Sequence, residues 1–164
     1  MTITWYGEGC FKIQTGEAVV LSDPFSATSG LTPPRLKADI ILKTLSPVLL
    51  SGNESSPGTA VISGAGEYNL QETSIWGFPL SPESADKFLK TAYILEAEKI
   101  RICFLGHASE APEPTVTEHL HDIDILILSG GGRPFLDQKS AFKLVKQIEP
   151  KITIPSFFKI PGLT

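Results

Sequence analysis

Two apolar segments, each followed closely by glycine, constrain the fold of this chain more than any other feature. Ile100–Leu105 and Ile123–Leu128 are short, rich in Ile and Leu, and almost free of charge. Such runs are typical of strands that are buried on both faces. Between them, the capping-box spacing of Thr115 and Glu118 predicts a short helix. We therefore expect both strands to deliver their following loops to one rim of a sheet, where functional residues are often found.

Strands dominate the chain before this stretch. Apolar alternation and turn residues predict strands at Thr2–Tyr6, Cys10–Gln14, Ala18–Ser22, Ala38–Leu42, Thr59–Ser63, Glu67–Leu70, Thr73–Phe78 and Thr91–Ala97. The first three are joined by tight turns, so we expect an antiparallel meander. The third ends in Asp23-Pro24, which places Asp23 at a strand end.

Strand and helix alternate in the last third of the chain. Asp137 is a good N-cap for a helix with one apolar stripe, which Pro150 ends. Lys151–Pro155 is predicted as a final strand. Together with the strand-rich first part, this favours a layered α/β sandwich in a single domain over residues 1–164, with two mixed sheets face to face and helices outside.

Composition excludes several classes of function. The chain has 164 residues, which is enough for one domain with a sizeable core, and hydrophobic residues make up 41% of it. The net charge is −4 with interspersed signs, so the basic footprint of a nucleic-acid-binding protein is absent. No apolar run approaches the roughly 20 residues needed to cross a bilayer. The N-terminus lacks the charged and apolar regions of a signal peptide, so a cytoplasmic location is expected.

Both cysteines lie in apolar segments that are predicted as strands. Cys10 and Cys103 are therefore expected to be buried, reduced thiols. A disulfide between them, or one reactive thiol, is the alternative.

The order of several short motifs resembles a known family. The chain contains, in order, WYG-x-x-CFKI, VVLSDPF, ADIIL, GAGEYNL, IRICFLG, DIDILIL and QIEPKITIP–KIPGL. This order resembles the small metallo-β-lactamase-fold hydrolases and, more narrowly, the Zn-dependent hydrolases related to the ascorbate-6-phosphate lactonase group. The resemblance implies a four-layer αββα sandwich with a metal site at one edge of its two sheets.

The metal ligands that the resemblance implies are largely missing from this chain. The signature H-x-H-x-D-H follows a strand like ADIIL, and the matching residues here are Leu45, Pro47, Leu49 and Leu50. His107 stands where the family has a later aspartate, Phe157 where it has a late histidine, and Glu8 where the lactonase-like group has an N-terminal histidine. A catalytic zinc needs about three N, O or S ligands from the protein, so no zinc cofactor is expected.

Four polar residues remain as candidates for a site. Glu8, Asp23, Glu67 and His107 could converge at the rim and hold a cation weakly. The alternative is that Asp23 and Glu67 accept backbone N–H bonds in tight turns. His107, at a predicted strand end, is the best candidate for acid–base chemistry, with Asp23 as its partner.

Two other motifs have a structural and a functional interpretation. His119 and His121 have H-x-H spacing, but on a helix they would point about 200° apart, so solvated residues at a helix end are expected. Gly130–Gly132 follow a strand and could cradle an anion, although close backbone packing is the commoner reason for such glycines.

The segment Leu45–Leu50 leaves two structures open. It is either ordinary core or an exposed apolar ledge on which a protein partner or a second copy of the chain docks. The sequence therefore predicts a family member without a zinc site that serves a binding or structural role, with a homodimer as one form of that role. The alternative is a divergent metal-dependent hydrolase, with zinc as cofactor, that acts on a lactone or phosphoester through Asp23 and His107.

Overall fold

Two mixed β-sheets stacked face to face form the body of the protein. The computed structural model describes residues 1–25, 30–35, 37–48 and 57–158. In that part of the chain the strands are β1 Thr2–Gly7, β2 Cys10–Gln14, β3 Val19–Ser22, β4 Ile40–Lys43, β5 Leu45–Pro47, β6 Ala60–Ser63, β7 Gly66–Leu70, β8 Thr73–Pro79, β9 Phe88–Ala97, β10 Ile100–Phe104, β11 Ile125–Ser129 and β12 Ile152–Ser156. The two-sheet layered architecture expected from the sequence is confirmed.

The first sheet has the strand order β1-β2-β3-β4-β6. Its first three strands form the predicted antiparallel meander, and β3, β4 and β6 run parallel. Because β3 and β4 are parallel neighbours, the residues that follow them, Asp23 and Thr44, emerge at the same edge of the sheet. The parallel pairing of β3 and β4 thus positions two residues of the candidate site described below.

The second sheet has the order β12-β11-β10-β9-β8-β7. Strands β10, β11 and β12 are parallel, whereas β9, β8 and β7 are antiparallel to their neighbours. The parallel arrangement confirms that the loops after β10 and β11 reach one rim. The short strand β5 pairs with the start of β9, and Pro47 lies opposite Phe88. The chain therefore passes from the first sheet to the second at Thr44, between β4 and β5.

The main core lies between the two sheets. The first sheet contributes Phe11, Ile13, Val20, Ile40, Leu42 and Ile62, and the second contributes Ile75, Tyr93, Leu95, Ala97, Ile102, Phe104 and Ile127. These side chains come from alternate positions of each strand, as the two-residue period of a strand requires. The buried interface fixes the two sheet edges relative to each other at the rim.

Two helices cover the outer face of the second sheet. They are α1 Pro114–Thr117 and α2 Gln138–Ile148, and their apolar side chains join Cys103, Leu126 and Leu128 in a second core. Asp137 caps α2 as predicted, because its side chain accepts hydrogen bonds from the backbone of Lys139 and Ser140.

The predicted capping box of α1 is wrong. The N-cap is Glu113, which makes no side-chain capping bond, and Pro114 occupies the first helical position. Proline is favoured there because its missing N–H has no partner within a helix in any case. The helix thus begins one residue before Thr115, which removes the Thr115–Glu118 pairing.

Both cysteines are buried and free in the structure. Cys10 lies in a small cluster with Leu21 and Ala38, and Cys103 lies in the core beneath the helices. Burial raises the pKa of each thiol to about 12, and the charges of Asp23 and Glu8 add to the effect at Cys10. The expectation of buried, reduced thiols is confirmed. Among the described residues, no helix has the length and apolar character needed to span a bilayer.

Candidate functional site

The candidate site lies at the rim where the carboxyl ends of the parallel strands meet. Asp23 follows β3, Thr44 follows β4, His107 follows β10 and Phe157 follows β12. The first two residues come from one sheet and the last two from the other. The rim is therefore a junction between the sheets, and its geometry depends on how they pack.

Thr44 connects Asp23 to His107 by hydrogen bonds. The Thr44 N–H donates to Oδ1 of Asp23 at 2.7 Å, and Oγ1 of Thr44 lies 2.7 Å from Oδ2 of Asp23. The same Oγ1 lies 2.7 Å from Nδ1 of His107. The direct distance from Nδ1 of His107 to Oδ2 of Asp23 is 3.8 Å. The hydroxyl of Thr44 is thus the link between a carboxyl group and an imidazole.

Gly106 allows Thr44 to come this close. A Cβ atom on Gly106 would overlap the side chain of Thr44, so a larger residue cannot occupy the position without displacing the hydroxyl. The backbone N–H of His107 also donates to Oγ1 of Thr44 at 3.2 Å. Thr44 is 1% exposed, and its hydrogen bonds are therefore shielded from water.

Burial shifts the acidity of both ionisable partners. It raises the pKa of Asp23 to about 7, against the opposing effect of the hydrogen bonds from Thr44 and the charge of Lys43. Burial also lowers the pKa of His107 to about 4, and the positive charge of Lys90 adds to that effect. Both shifts favour uncharged partners, as expected where desolvation dominates. Near neutral pH the imidazole is therefore uncharged.

The single hydroxyl proton of Thr44 permits two arrangements of the network. In one, protonated Asp23 donates to Thr44, which donates to Nδ1 of His107, and the imidazole carries its proton on Nε2. In the other, Nδ1–H of His107 donates to Thr44, which donates to ionised Asp23, and Nε2 holds a free lone pair. The arrangement can therefore pass a proton between a carboxyl group and an imidazole.

An aromatic cluster covers the imidazole of His107. The ring centroid of Phe157 lies 4.8 Å from that of His107 and 4.3 Å from that of Phe135. Gly9 faces the ring of Phe157, and a Cβ atom there would come within 2.6 Å of it. Phe157 itself has a φ of 53°, which is rare for a bulky residue. The packed surroundings hold this backbone conformation at the rim.

Two cavities meet at the rim and share His107 and Leu45. The smaller, of about 280 Å³, is lined by Glu8, Asp23, Pro24, Phe25, Lys43, Leu45, His107 and Phe157. The larger, of about 490 Å³, is an apolar groove lined by Leu45, Ser46, Pro47, Lys87, Phe88, Lys90, His107, Pro134 and Phe135. His107 lies at the boundary between a polar cavity and an apolar one.

The structure brings three of the four predicted polar residues together. Glu8, Asp23 and His107 line the smaller cavity, whereas Glu67 is exposed on β7 and does not line it. The proposed convergence of all four is therefore wrong for Glu67, because β7 is the edge strand of the second sheet, farthest from β12. The alternative interpretation was that Asp23 accepts a backbone N–H in a tight turn. Asp23 does accept a backbone N–H, but the donor is Thr44, which follows the neighbouring strand β4.

The structure describes part of the Leu45–Leu50 segment. Leu45 and Pro47 belong to β5, Leu45 is 38% exposed and Val48 is 43% exposed. Leu49 and Leu50 lie outside the described residues. The described part forms an exposed apolar ledge along the groove, which favours that alternative over ordinary core.

The remaining motifs take no part in the hydrogen bonds that join Asp23, Thr44 and His107. His119 stacks on Phe78 with ring centroids 4.8 Å apart, and Nδ1 of His121 lies 3.2 Å from the carbonyl oxygen of Glu118. Gly131 packs directly against the backbone oxygen of Phe157, where a Cβ atom would overlap it. Close packing therefore explains this glycine, as one of its two interpretations expected.

The donor atoms at the rim do not fit a catalytic zinc centre. Both oxygens of Asp23 and Nδ1 of His107 are engaged with Thr44, and Leu45, Pro47 and Phe157 offer no lone pair for a metal. Within the described ranges, no group of three or more His, Cys, Asp or Glu side chains is placed to hold a metal ion. A catalytic zinc takes about three protein ligands, so these residues are an unsuitable donor set.

Sequence reasoning missed Thr44 and Lys90. Thr44 follows a buried strand in the same way as Asp23, and this position is the signal that would have identified it. Lys90 lies inside β9, where its spacing gives no indication of function. Only the pairing of β5 with β9 brings Lys90 to the groove.

Comparison with known proteins agrees with this architecture. Residues 2–156 match the family described as "Beta-lactamase superfamily domain". A UPF0173 protein of Pyrococcus abyssi is 22% identical over 184 residues, which covers 99% of this chain and 85% of that protein. The narrower resemblance to the ascorbate-6-phosphate lactonase group stays a prediction.

Solved structures share the fold. A proposed Zn-dependent hydrolase of the metallo-beta-lactamase superfamily from Thermotoga maritima has a TM-score of 0.81 and 24% identity, over 99% of this chain and 78% of that one. A metallo hydrolase from Ignicoccus hospitalis has a TM-score of 0.75 and 17% identity, over 98% of this chain and 84% of that one. The family match spans nearly the whole chain, and we conclude that this chain belongs to the beta-lactamase superfamily.

Proposed function

We propose that this protein is a beta-lactamase-superfamily member that has lost the zinc site and acts in the cytoplasm as a non-catalytic binding protein. The rim, which would be the reaction centre, carries apolar side chains at three of the expected ligand positions: Leu45, Pro47 and Phe157. The apolar groove beside them, of about 490 Å³, has the size of a small-molecule site. Binding through this rim needs no metal.

The observation that carries the proposal is the way the remaining polar atoms are used. Thr44 takes up both oxygens of Asp23 and Nδ1 of His107, so these atoms satisfy each other within the protein. The ring of Phe157 packs against the imidazole from the other side. A hydrated cation would have to displace both the hydrogen bonds and the ring.

Elemental analysis tests the proposal directly. Protein purified without chelators and dialysed against zinc is expected to hold less than about 0.1 zinc per chain, because a zinc site needs about three donors. The matched comparison introduces the residues that the resemblance implies at five of the missing ligand positions, through Leu45→His, Pro47→His, Leu49→Asp, Leu50→His and Phe157→His. About one zinc per wild-type chain, together with hydrolytic turnover, would overturn the proposal.

A second candidate function rests on the hydrogen-bond chain through Thr44. With Asp23 ionised and Nδ1–H donating to Thr44, Nε2 of His107 is placed to act as a general base at the edge of both cavities. Two similar proteins are described as a Zn-dependent hydrolase and a metallo hydrolase. The resemblance seen in the sequence implies a lactone or phosphoester as the substrate and zinc as the cofactor, by analogy alone. If turnover is found and survives His107→Ala, this candidate is excluded.

The exposed apolar ledge also supports self-association. Leu45, Val48 and Phe88 each leave more than a third of their surface in solvent. Exposed apolar side chains gathered in one place are typical of an interface, and we expect a homodimer at high concentration. Light scattering that shows only monomer at high concentration would contradict this expectation.

A further inference from the structure

The apolar groove has a half-buried lysine in its lining. Its walls are Leu45 and Pro47 from β5, Phe88 from β9, and Phe135 from the loop after β11. Lys90 also lines the groove, and its side chain is only 14% exposed. Charged groups are rarely buried without a partner, so the surroundings of Lys90 must hold its ammonium group in place.

Glu83 and Ser109 fix the ammonium group of Lys90. Nζ of Lys90 donates to Oε2 of Glu83 at 2.9 Å and to Oγ of Ser109 at 2.9 Å. An ammonium group has three N–H donors, so one of them is left after these two bonds. Lys90 also lines the groove, so an anionic group bound there would lie near a positive charge.

Glu83 is the ion-pair partner of Lys90, and its carboxylate is held in the charged form. Burial alone would raise the pKa of Glu83, but hydrogen bonds from Ser109, Lys90 and Glu110 outweigh it and hold that pKa low. The carboxylate accepts from Lys90, Ser109 and Glu110, and Glu83 is not among the residues that line the groove. Lys87 adds a second positive charge at the groove, and none of the described residues that line it is acidic.

His107 supplies a neutral hydrogen-bonding group beside Lys90. Its Nδ1 is taken by Thr44, which leaves Nε2 as the nitrogen for a ligand. Both Lys90 and His107 line the same groove, so one occupant could contact both. In the arrangement with Asp23 protonated, Nε2 carries a proton and is a donor.

We propose that the groove binds a small monocarboxylate with an apolar chain or ring, its carboxylate held by Lys90 and Nε2 of His107 and its apolar body packed against Leu45, Phe88 and Phe135. The pattern of an apolar cleft with a few convergent polar groups is that of a small-molecule site. A volume of about 490 Å³ accommodates a medium-length acid. The inference rests on the proposed binding function, for which it names the ligand class.

Two ligands with the same chain length, one with a charged and one with an uncharged head group, test the inference on the wild-type chain. Octanoate and octanol have the same chain length, and their affinities are measured by isothermal titration calorimetry on chelator-treated protein near neutral pH. We expect octanoate to bind at least about tenfold more tightly, because only its carboxylate carries a negative charge that can form a charge-assisted hydrogen bond with the ammonium group. Equal affinities, or no binding of octanoate, would overturn the proposal.

Two variants test the contributions of the cation and of the apolar wall separately. Lys90→Met is expected to weaken octanoate binding about tenfold and to leave octanol binding unchanged. Phe88→Ser is expected to weaken both ligands, since it removes an apolar wall without touching the cation. Lys143→Met, on the exposed side of α2, is the matched control and should change neither. Octanoate affinity that is unaffected by both Lys90→Met and Phe88→Ser would also overturn the proposal.

A double variant guards against misfolding of the lysine variant. Lys90→Met leaves Glu83 buried without its cation, so Lys90→Met combined with Glu83→Gln removes both charges together. Zinc content measured on each preparation before the chelator is added distinguishes the two proposals. Zinc-containing protein that still prefers octanoate contradicts the loss of the metal site only, whereas zinc-free protein without the preference contradicts the ligand class only.

Discussion

Oγ1 of Thr44 lies 2.7 Å from Nδ1 of His107, although the two residues are 63 positions apart in sequence. The contact joins the loop after β4 in the first sheet to the loop after β10 in the second. A hydroxyl group has one proton, so its direction depends on which neighbour, the imidazole or the carboxyl group of Asp23, is the donor. The protonation states of the two ionisable residues are therefore linked through Thr44.

Opposing pH effects are expected from Asp23 and His107. The folded-state pKa of Asp23 is raised to about 7, so its contribution to the free energy of unfolding falls as pH rises between about 4 and 7. The folded-state pKa of His107 is lowered to about 4, so its contribution rises between about pH 4 and 6.5. The two contributions oppose each other over the shared window.

Single variants should reveal how each residue makes the free energy of unfolding depend on pH. Relative to wild type, Asp23→Asn should gain stability as pH rises from about 4.5 to 6.5, and His107→Gln should lose it, each by about 1 kcal/mol per pH unit. Urea unfolding at the two pH values measures both slopes. Slopes of the same sign in the two variants would contradict the assigned protonation states.

Removing the hydroxyl of Thr44 should leave two buried groups without a partner. Thr44→Val preserves the shape of the side chain but is expected to cost about 1–3 kcal/mol, since Oδ2 of Asp23 and Nδ1 of His107 each lose a hydrogen bond. Thr44→Ser keeps the hydroxyl and should cost about 1 kcal/mol, for the lost methyl group. Chemical denaturation compares them, and equal losses would show that the hydroxyl contributes little.

Gly106 and Gly130 should respond differently to the same substitution. Gly106→Ala forces a Cβ atom into the side chain of Thr44, so a loss of about 2 kcal/mol or more is expected. Gly130→Ala meets only Cβ of Pro155, at 3.7 Å, and should change stability by less than about 1 kcal/mol. Thermal and urea unfolding of the two variants, each expressed as the full chain, measure the contrast. Similar effects in both would mean that the rim tolerates movement of Thr44.

The ring of Phe157 should stabilise the rim. Phe157→Ala removes its contacts with His107 and Phe135 and is expected to cost about 2 kcal/mol. Phe142→Ala is the matched control, because Phe142 is 60% exposed on α2 and its main contact is with Lys146. That change should cost no more than about 0.5 kcal/mol, as is usual for surface positions. Urea unfolding measures both, and a smaller loss for Phe157→Ala than for Phe142→Ala would contradict the role assigned to the ring.

Sequence patterns predicted the fold well where local signals and tertiary structure agree. The meander of β1–β3 and the helix capped by Asp137 both depend on turn residues and periodicity close in sequence. β5 was not predicted as a strand. It pairs with β9, more than 40 residues away in sequence, and it contains Pro47, which is unfavourable in a strand.

The candidate site was only partly predictable for the same reason. Asp23 and His107 follow apolar strands, and this position indicated the rim from sequence alone. Thr44 and Lys90 acquire their roles through hydrogen bonds to residues 63 and 19 positions away, which no local pattern contains. Glu67 was misplaced because its predicted position at the start of a strand does not indicate where that strand lies in the sheet.

The contact between Gly9 and the ring of Phe157 limits the order in which mutations can accumulate at the rim. A side chain at position 9 would meet that ring at 2.6 Å, so enlargement there is tolerated only after position 157 has become smaller. The reverse order passes through an overcrowded intermediate. The two positions are therefore coupled, and the residue tolerated at position 9 depends on the size of the side chain at position 157.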